Sequence, residues 1–115
     1  CVRSKDGVEG VSLDNGRAAY VAPIFLQRVA PYFVGKDARQ LEDHLWELYR
    51  WRSNYKLQGL AFWSSVAWME FAILDLLGRV AGRSVGNLLG GVIRNRIPFY
   101  VASGRRDSTP EEEID

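Results

Sequence analysis

Cysteine and histidine occur once each in the 115 residues, as Cys1 and His44. That excludes an intramolecular disulfide framework and a Cys2His2 zinc site, and a single thiol suits a reducing compartment. An excess of charge of one sign is also missing: 15 Lys and Arg stand against 14 Asp and Glu, for a formal net charge of +1. Such a chain has no field to hold nucleic acid or an anionic membrane by charge alone, so neither is expected as a partner. No internal repeat, low-complexity run or signal peptide is present. Gly82, Gly86 and Gly90 lack the phosphate-loop spacing and its Lys-Ser/Thr ending, and they punctuate a loop and a short helix. What is there is ordinary globular material, 47% hydrophobic and 25% charged, enough for one core.

The order of residues predicts an α+β chain. Lys5-Asp6-Gly7 is a turn between arms carrying Val2, Val8 and Val11, so residues 1–13 are expected as a β-hairpin. Leu13-Asp14-Asn15-Gly16-Arg17 leaves the sheet as a polar loop. Pro23 is expected to open a short helix that Pro31 and Gly35 close. Asp37 with Gln40 is a start signal, and Leu41, Leu45, Leu48 and Tyr49 keep one helical stripe, predicting a helix over 38–52. Leu60 to Val80 is the most apolar stretch. Glu70 and Asp75 inside it argue against a membrane span and for a helix buried on most of its circumference by a protein partner. Asp75 and Arg79 stand four apart in the favourable order and are expected as a buried pair, in which losing Arg79 does more harm than losing Asp75. Ser84 caps a short helix over 85–89, and Ile97 to Ala102 reads as a buried strand. Thr109, Pro110 and Glu112 announce one more helix just before Asp115, while Cys1 opens directly in a strand-like run. The chain is therefore expected to be truncated at both ends.

Little in this order carries chemistry. His44 lies beside the apolar stripe and reads as a boundary residue rather than a catalyst. Glu111, Glu112 and Glu113 fan about 100° apart on a helix and do not converge on one ion. Trp46, Trp51, Trp63 and Trp68 fall mostly in helical stripes, where core packing is the expectation. Arginine outnumbers lysine by twelve to three, but only Arg105-Arg106 forms a pair, in the loop after the last strand.

Three stretches together resemble the start of a mandelate racemase/muconate lactonizing enzyme, a family of the enolase superfamily. The first is Val2 to Gly10, similar to the family's second-to-third strand hairpin. The second is Val34-Gly35-Lys36-Asp37 with Leu41 to Trp46, similar to its turn and following helix. The third is the most specific: Ala72 to Gly82, Ser84 to Gly91, and Ile97-Pro98-Phe99-Tyr100. Leu74 stands where the family commonly has Trp, Arg79 where it has Lys, Ser84 where it has Pro, and Ala38 replaces the Pro of the turn. Gly10-Val11-Ser12-Leu13 departs from the usual ending of the third strand.

The resemblance implies an antiparallel hairpin or meander followed by a helical bundle, as an enolase-like N-terminal capping domain over 1–93 that lacks its first strand. Residues 94–115 would then be the first strand and the start of the first helix of a (β/α) barrel. It also implies an Mg2+-dependent enzyme that removes the proton α to a carboxylate, with its metal ligands and bases on later barrel strands. No catalytic or metal-ligating residue is carried onto this chain. A lid made of Leu13, Asp14, Asn15 and Arg17 would close over the substrate, with Ser103, Arg105 and Arg106 opening into the same cavity. Ser12, Asp14, Asn15 and Arg17 are polar and suit a polyol, which points to an acid-sugar dehydratase, with racemase or cycloisomerase behind it. The implied partners are a small carboxylate substrate, the chain's own barrel and a second copy of the protein in a homo-oligomer, in the cytoplasm. The rival reading is a non-enzymatic helical interaction module that uses Leu60–Val80 as a partner groove.

Overall fold

The structure, a computed structural model, describes residues 1–14, 16, 18–57, 59–100 and 109–112. Strands β1 (Val2–Arg3) and β2 (Glu9–Gly10) pair antiparallel, with Val2 opposite Gly10 and Arg3 opposite Glu9. Gly7, at φ +85°, makes the turn that an L side chain resists. Ser4 ties the turn from inside, accepting the Val8 N–H on its Oγ at 3.0 Å and the Gly7 N–H on its carbonyl at 3.1 Å. The ladder is shorter than the expected 1–13. Val11 turns its N–H away to the Asp75 carboxylate, and the chain leaves the sheet there.

Helix α1 (Ala18–Ile24) starts upstream of Pro23, which lies inside it rather than opening it. It runs without a break into a π-turn over Phe25–Val29 and then α2 (Ala30–Phe33), which holds Pro31. Pro31 was expected to close this helix. It lacks an N–H and its ring crowds the preceding turn. The wider π register, in which the Ala30 N–H reaches the Phe25 carbonyl, makes room ahead of it. Gly35, at φ +78°, ends the segment as expected.

Asp37 caps the next start by accepting the Arg39 N–H at 3.0 Å. A 3-10 turn over Ala38–Gln40 leads into α3 (Leu41–Arg50), and a second 3-10 segment over Trp51–Lys56 follows. The predicted helix over 38–52 thus loses both ends to tighter turns. Helix α4 (Leu60–Ala81) ends at Gly82, in the left-handed conformation, with the Arg83 N–H on the Gly78 carbonyl at 2.8 Å. After α5 (Val85–Leu88), capped by Ser84, residues 92–100 form no strand.

The core forms where the stripe Phe62, Val66, Met69 and Ile73 of α4 meets Leu48 of α3, Tyr32 of α2 and Val29. This stripe recurs every three or four residues, so α4 is buried along one face. This chain by itself covers less of the helix than the expected burial around most of its circumference: Leu60, Trp63 and Phe71 are exposed on the other side. By length and composition α4 could cross a membrane, but its packed face is that of a core helix. The tryptophans sit at the margins of this core. Trp51 and Trp68 are half-buried, Trp46 and Trp63 are exposed, and Trp63 stacks on Tyr49 with ring centroids 5.7 Å apart.

The expected buried strand at 97–102 is not found in its described part. Ile97, Phe99 and Tyr100 are exposed, and Val101 and Ala102 lie outside the described residues. A strand of a parallel barrel needs neighbours for its backbone groups, and the described residues offer it none. At 109–112 the Glu112 carboxylate does reach back to the Thr109 N–H at 3.0 Å, which is half of the expected capping box.

The hairpin meets α4 at one point of very close approach. A Cβ on Gly10 would lie 2.5 Å from the Leu76 nitrogen and 2.6 Å from its Cβ, and closer still to the Ala72 carbonyl oxygen. All three are backbone or Cβ atoms that cannot swing aside. Gly10→Ala is therefore expected to destabilise the full-length protein by about 1–3 kcal/mol or more, the cost of overpacking. Gly16→Ala, where a Cβ meets nothing within 4 Å, should stay within about 0.5 kcal/mol. Urea denaturation of both variants checks the contrast.

Candidate functional site

The loop after the hairpin is the first candidate. It departs from Val11, whose N–H donates to Asp75 Oδ2 at 2.9 Å, and Arg79 Nε donates to the same oxygen at 2.9 Å. The Val11 N–H foremost, and then Arg79, hold the Asp75 carboxyl below the usual carboxylate range. Leu13 is 89% exposed and Asp14 is exposed too. Asn15, Arg17, Ser103, Arg105 and Arg106, the other expected site residues, lie outside the described residues. Leu13 and Asp14 are thus placed on a protruding loop, and the described residues bring no other member of the expected set to them.

Asp75 and Arg79 pair as expected but are not buried: their side chains are 29% and 58% exposed. The balance of the pair changes accordingly. Arg79 has water as an alternative partner, while Asp75 also satisfies a backbone N–H of the hairpin's exit. Asp75→Leu is expected to lower the denaturation midpoint more than Arg79→Leu, the reverse of the order for a buried pair. The pH sign follows from the depressed carboxyl. Its stabilisation is complete above the ordinary carboxylate value near 4 and fades as pH falls through the lower folded value. The gap between the parent and Asp75→Leu should therefore shrink on acidification below pH ~4.

A second cluster joins α2 to α3. Tyr32 Oη donates to Glu47 Oε2 at 2.6 Å, Lys36 Nζ lies 3.7 Å from that oxygen, and His44 Nε2 is 3.1 Å from the Asp37 carbonyl oxygen. His44 is 5% exposed, deeper than the boundary position expected for it. Burial, then the Glu47 carboxylate, push the Tyr32 hydroxyl far above its usual value, and the Tyr32 hydrogen bond draws Glu47 down. A phenol held so firmly protonated is a donor and not a base. Asp37, salt-bridged to Arg39, is held at about 2 chiefly by that side chain. The cluster clamps the turn at 34–40 to α3, and its chemistry is structural. Among the described residues no three His, Cys, Asp or Glu side chains are gathered as a metal ion requires.

The third feature was not legible as a site. In the turn after α3, Arg52 (φ 49°, ψ 34°) and Ser53 (φ 60°, ψ 34°) both adopt the left-handed conformation. Arg28 Nη1 donates to the Arg52 carbonyl at 3.2 Å, and the Arg52 guanidinium lies 4.3 Å from the Trp51 ring centre. Asn54, fully buried, donates from Nδ2 to the Leu48 carbonyl at 2.9 Å, and its Oδ1 has no partner among the described residues. Strain of this kind, held by surrounding contacts, concentrates at functional segments. In the sequence, Ser53-Asn54 signals only a turn. Ser53→Gly should raise stability by about 0.5–1 kcal/mol, because glycine adopts this conformation without a Cβ clash. Thermal unfolding is the measurement.

Together these features define an α+β domain that presents loops from a helical scaffold. The mandelate racemase/muconate lactonizing enzyme N-terminal domain matches residues 1–90, and the chain belongs to this family. Among its relatives is a D-galactonate dehydratase family member of Pseudarthrobacter chlorophenolicus, 36% identical over 86% of this chain and 24% of the relative. Another is a D-mannonate dehydratase of Xanthomonas oryzae pv. oryzicola, 32% identical over 98% of this chain and 27% of the relative. A D-galactonate dehydratase family member of Streptomyces bingchenggensis is 37% identical over 78% of this chain and 22% of the relative. The chain thus spans about a quarter of the length of these curated relatives. No solved structure matches it significantly.

Proposed function

We propose that the full-length protein is an acid-sugar dehydratase of the enolase superfamily and that this chain supplies the cap over its active site. The reaction breaks the C–H bond α to the substrate carboxylate and the C–OH bond at the next carbon, and it releases water. The observation that carries this reading is the family domain over residues 1–90 with relatives named D-mannonate and D-galactonate dehydratases. Racemase and cycloisomerase activities rank behind it, and no observation here favours a separate helical interaction module.

In this reading residues 1–93 form the cap, and residues 94–115 become the first strand and first helix of a (β/α) barrel once its neighbours are present. The exposed apolar side chains of Ile97, Phe99 and Tyr100 suit such a role. Mg2+ is the proposed metal, with its ligands and the catalytic base on later barrel strands. Leu13, Asp14, Asn15 and Arg17 form a lid that excludes water, and Ser103, Arg105 and Arg106 line the same cavity from below. Arg17 grips the substrate carboxylate, to which a guanidinium fork is matched. The protein works in the cytoplasm as a homo-oligomer.

The test is an assay of the full-length enzyme with Mg2+ on D-mannonate, D-galactonate and related sugar acids, following loss of water. Turnover of at least one is expected, and turnover of none sinks the dehydratase reading. Arg17→Ala should raise KM for that substrate by the equivalent of about 1.5–3 kcal/mol, the range of a charge-assisted hydrogen bond, with folding little changed. Unchanged kinetics would remove Arg17 from the site.

A further inference from the structure

We propose that Asp75 is a positioning residue for the lid: from its place on α4, its carboxylate fixes the stem from which the loop beginning at Ser12 departs. The inference rests on the lid reading above. Its geometry is independent of that reading and consists of two successive attachments. Gly10 is pressed onto α4 at Ala72 and Leu76, with no room for a side chain. One residue on, the Val11 N–H ends on Asp75 Oδ2 at 2.9 Å, a bond that does not depend on the one Arg79 Nε donates to the same oxygen.

Past Val11, among the described residues, the loop makes no further hydrogen bond to α4. The one hydrogen bond from residues 12–14 to the described residues is internal to the loop, from Ser12 Oγ to the Leu13 carbonyl at 3.5 Å. The chain is held again where α1 packs on α4. Both stems of the loop therefore stand on one rigid helix, while Leu13 and Asp14 project into solvent. A loop that closes onto a ligand repeatedly in one place needs this arrangement, with fixed ends and a free tip. The depressed Asp75 carboxyl is consistent with it, since the group stays ionised and accepts both bonds at neutral pH.

The experiment uses the full-length enzyme and a sugar acid that the parent turns over. Asp75→Leu, Asp75→Asn, Arg79→Leu and the tip variant Asp14→Ala are compared in steady-state kinetics and in amide hydrogen exchange across residues 11–16, below their unfolding transitions. Asp75→Leu should speed exchange at Val11 and raise KM several-fold, with a loss in kcat/KM of up to about a hundredfold, as for a displaced positioning element. Asp75→Asn keeps an oxygen for the Val11 N–H and should restore near-parental KM, which a purely charge-based role would not allow. Arg79→Leu leaves the Val11 bond in place and should leave KM unchanged. If Asp75→Leu does not accumulate folded, Val11→Pro removes the same bond from the donor side and should give the same KM rise. A parental KM in Asp75→Leu or Val11→Pro, while Asp14→Ala raises KM, overturns the proposal. Should Asp14→Ala also leave KM unchanged while exchange at Val11 is faster, the failure lies in the lid reading, and the proposal falls with it.

Discussion

A strand and a helix that are far apart in the chain approach each other very closely. Gly10 of β2 touches the backbone of α4 between Ala72 and Leu76, at a spacing that leaves no volume for a methyl group. A two-stranded hairpin is marginal in water when it stands alone. Contact with α4 gives this one a surface to lie on. It also sets where the chain exits toward the loop, because the next N–H, that of Val11, falls within reach of Asp75. The position of the hairpin and that of the loop stem both follow from that one contact.

The rest of the packed face of α4 is organised by side-chain polar groups around an apolar centre. Tyr32, Leu48 and Val29 meet the Phe62–Val66–Met69–Ile73 stripe. At the rim of this centre, Tyr32 finds Glu47 and His44 finds the Asp37 carbonyl. A buried phenol and a buried imidazole each cost free energy unless they are hydrogen-bonded, and here each bond also ties one element to the next. The irregular turns, π before Pro31 and 3-10 around α3, link the short helices that carry these partners. The described polar clusters thus stabilise the scaffold, while Leu13 and Asp14 stay exposed on the loop.

Much of this was legible in the residues alone. The turn at Lys5-Asp6-Gly7, the cap at Asp37, the stop at Gly82 and the Ser84 start all appear where local chemistry places them. These are short-range effects, decided by φ preference and by side chains that reach a neighbouring N–H. The family was legible too, because the Asp75 to Gly91 run keeps its spacing. The expected site residues fall on a loop. Leu13 and Asp14 are described on it, and the remaining expected residues lie outside the described ones.

The sequence by itself determined the helix and turn positions set by glycine, by capping side chains and by the apolar stripe of α3, because each depends on atoms within about four residues. It did not determine which side of α4 is covered. An all-round apolar helix offers no stripe to read, so one-sided burial emerged only from the hairpin and α1–α3 packing on it. The depth of His44, the exposure of the Asp75–Arg79 pair and the left-handed turn at Arg52-Ser53 were likewise settled in three dimensions. In each case the deciding partner is distant in the chain or belongs to another element: Tyr32 for His44, Val11 for Asp75, Arg28 for the Arg52 carbonyl. Local propensity carries no information about a partner that only folding brings near.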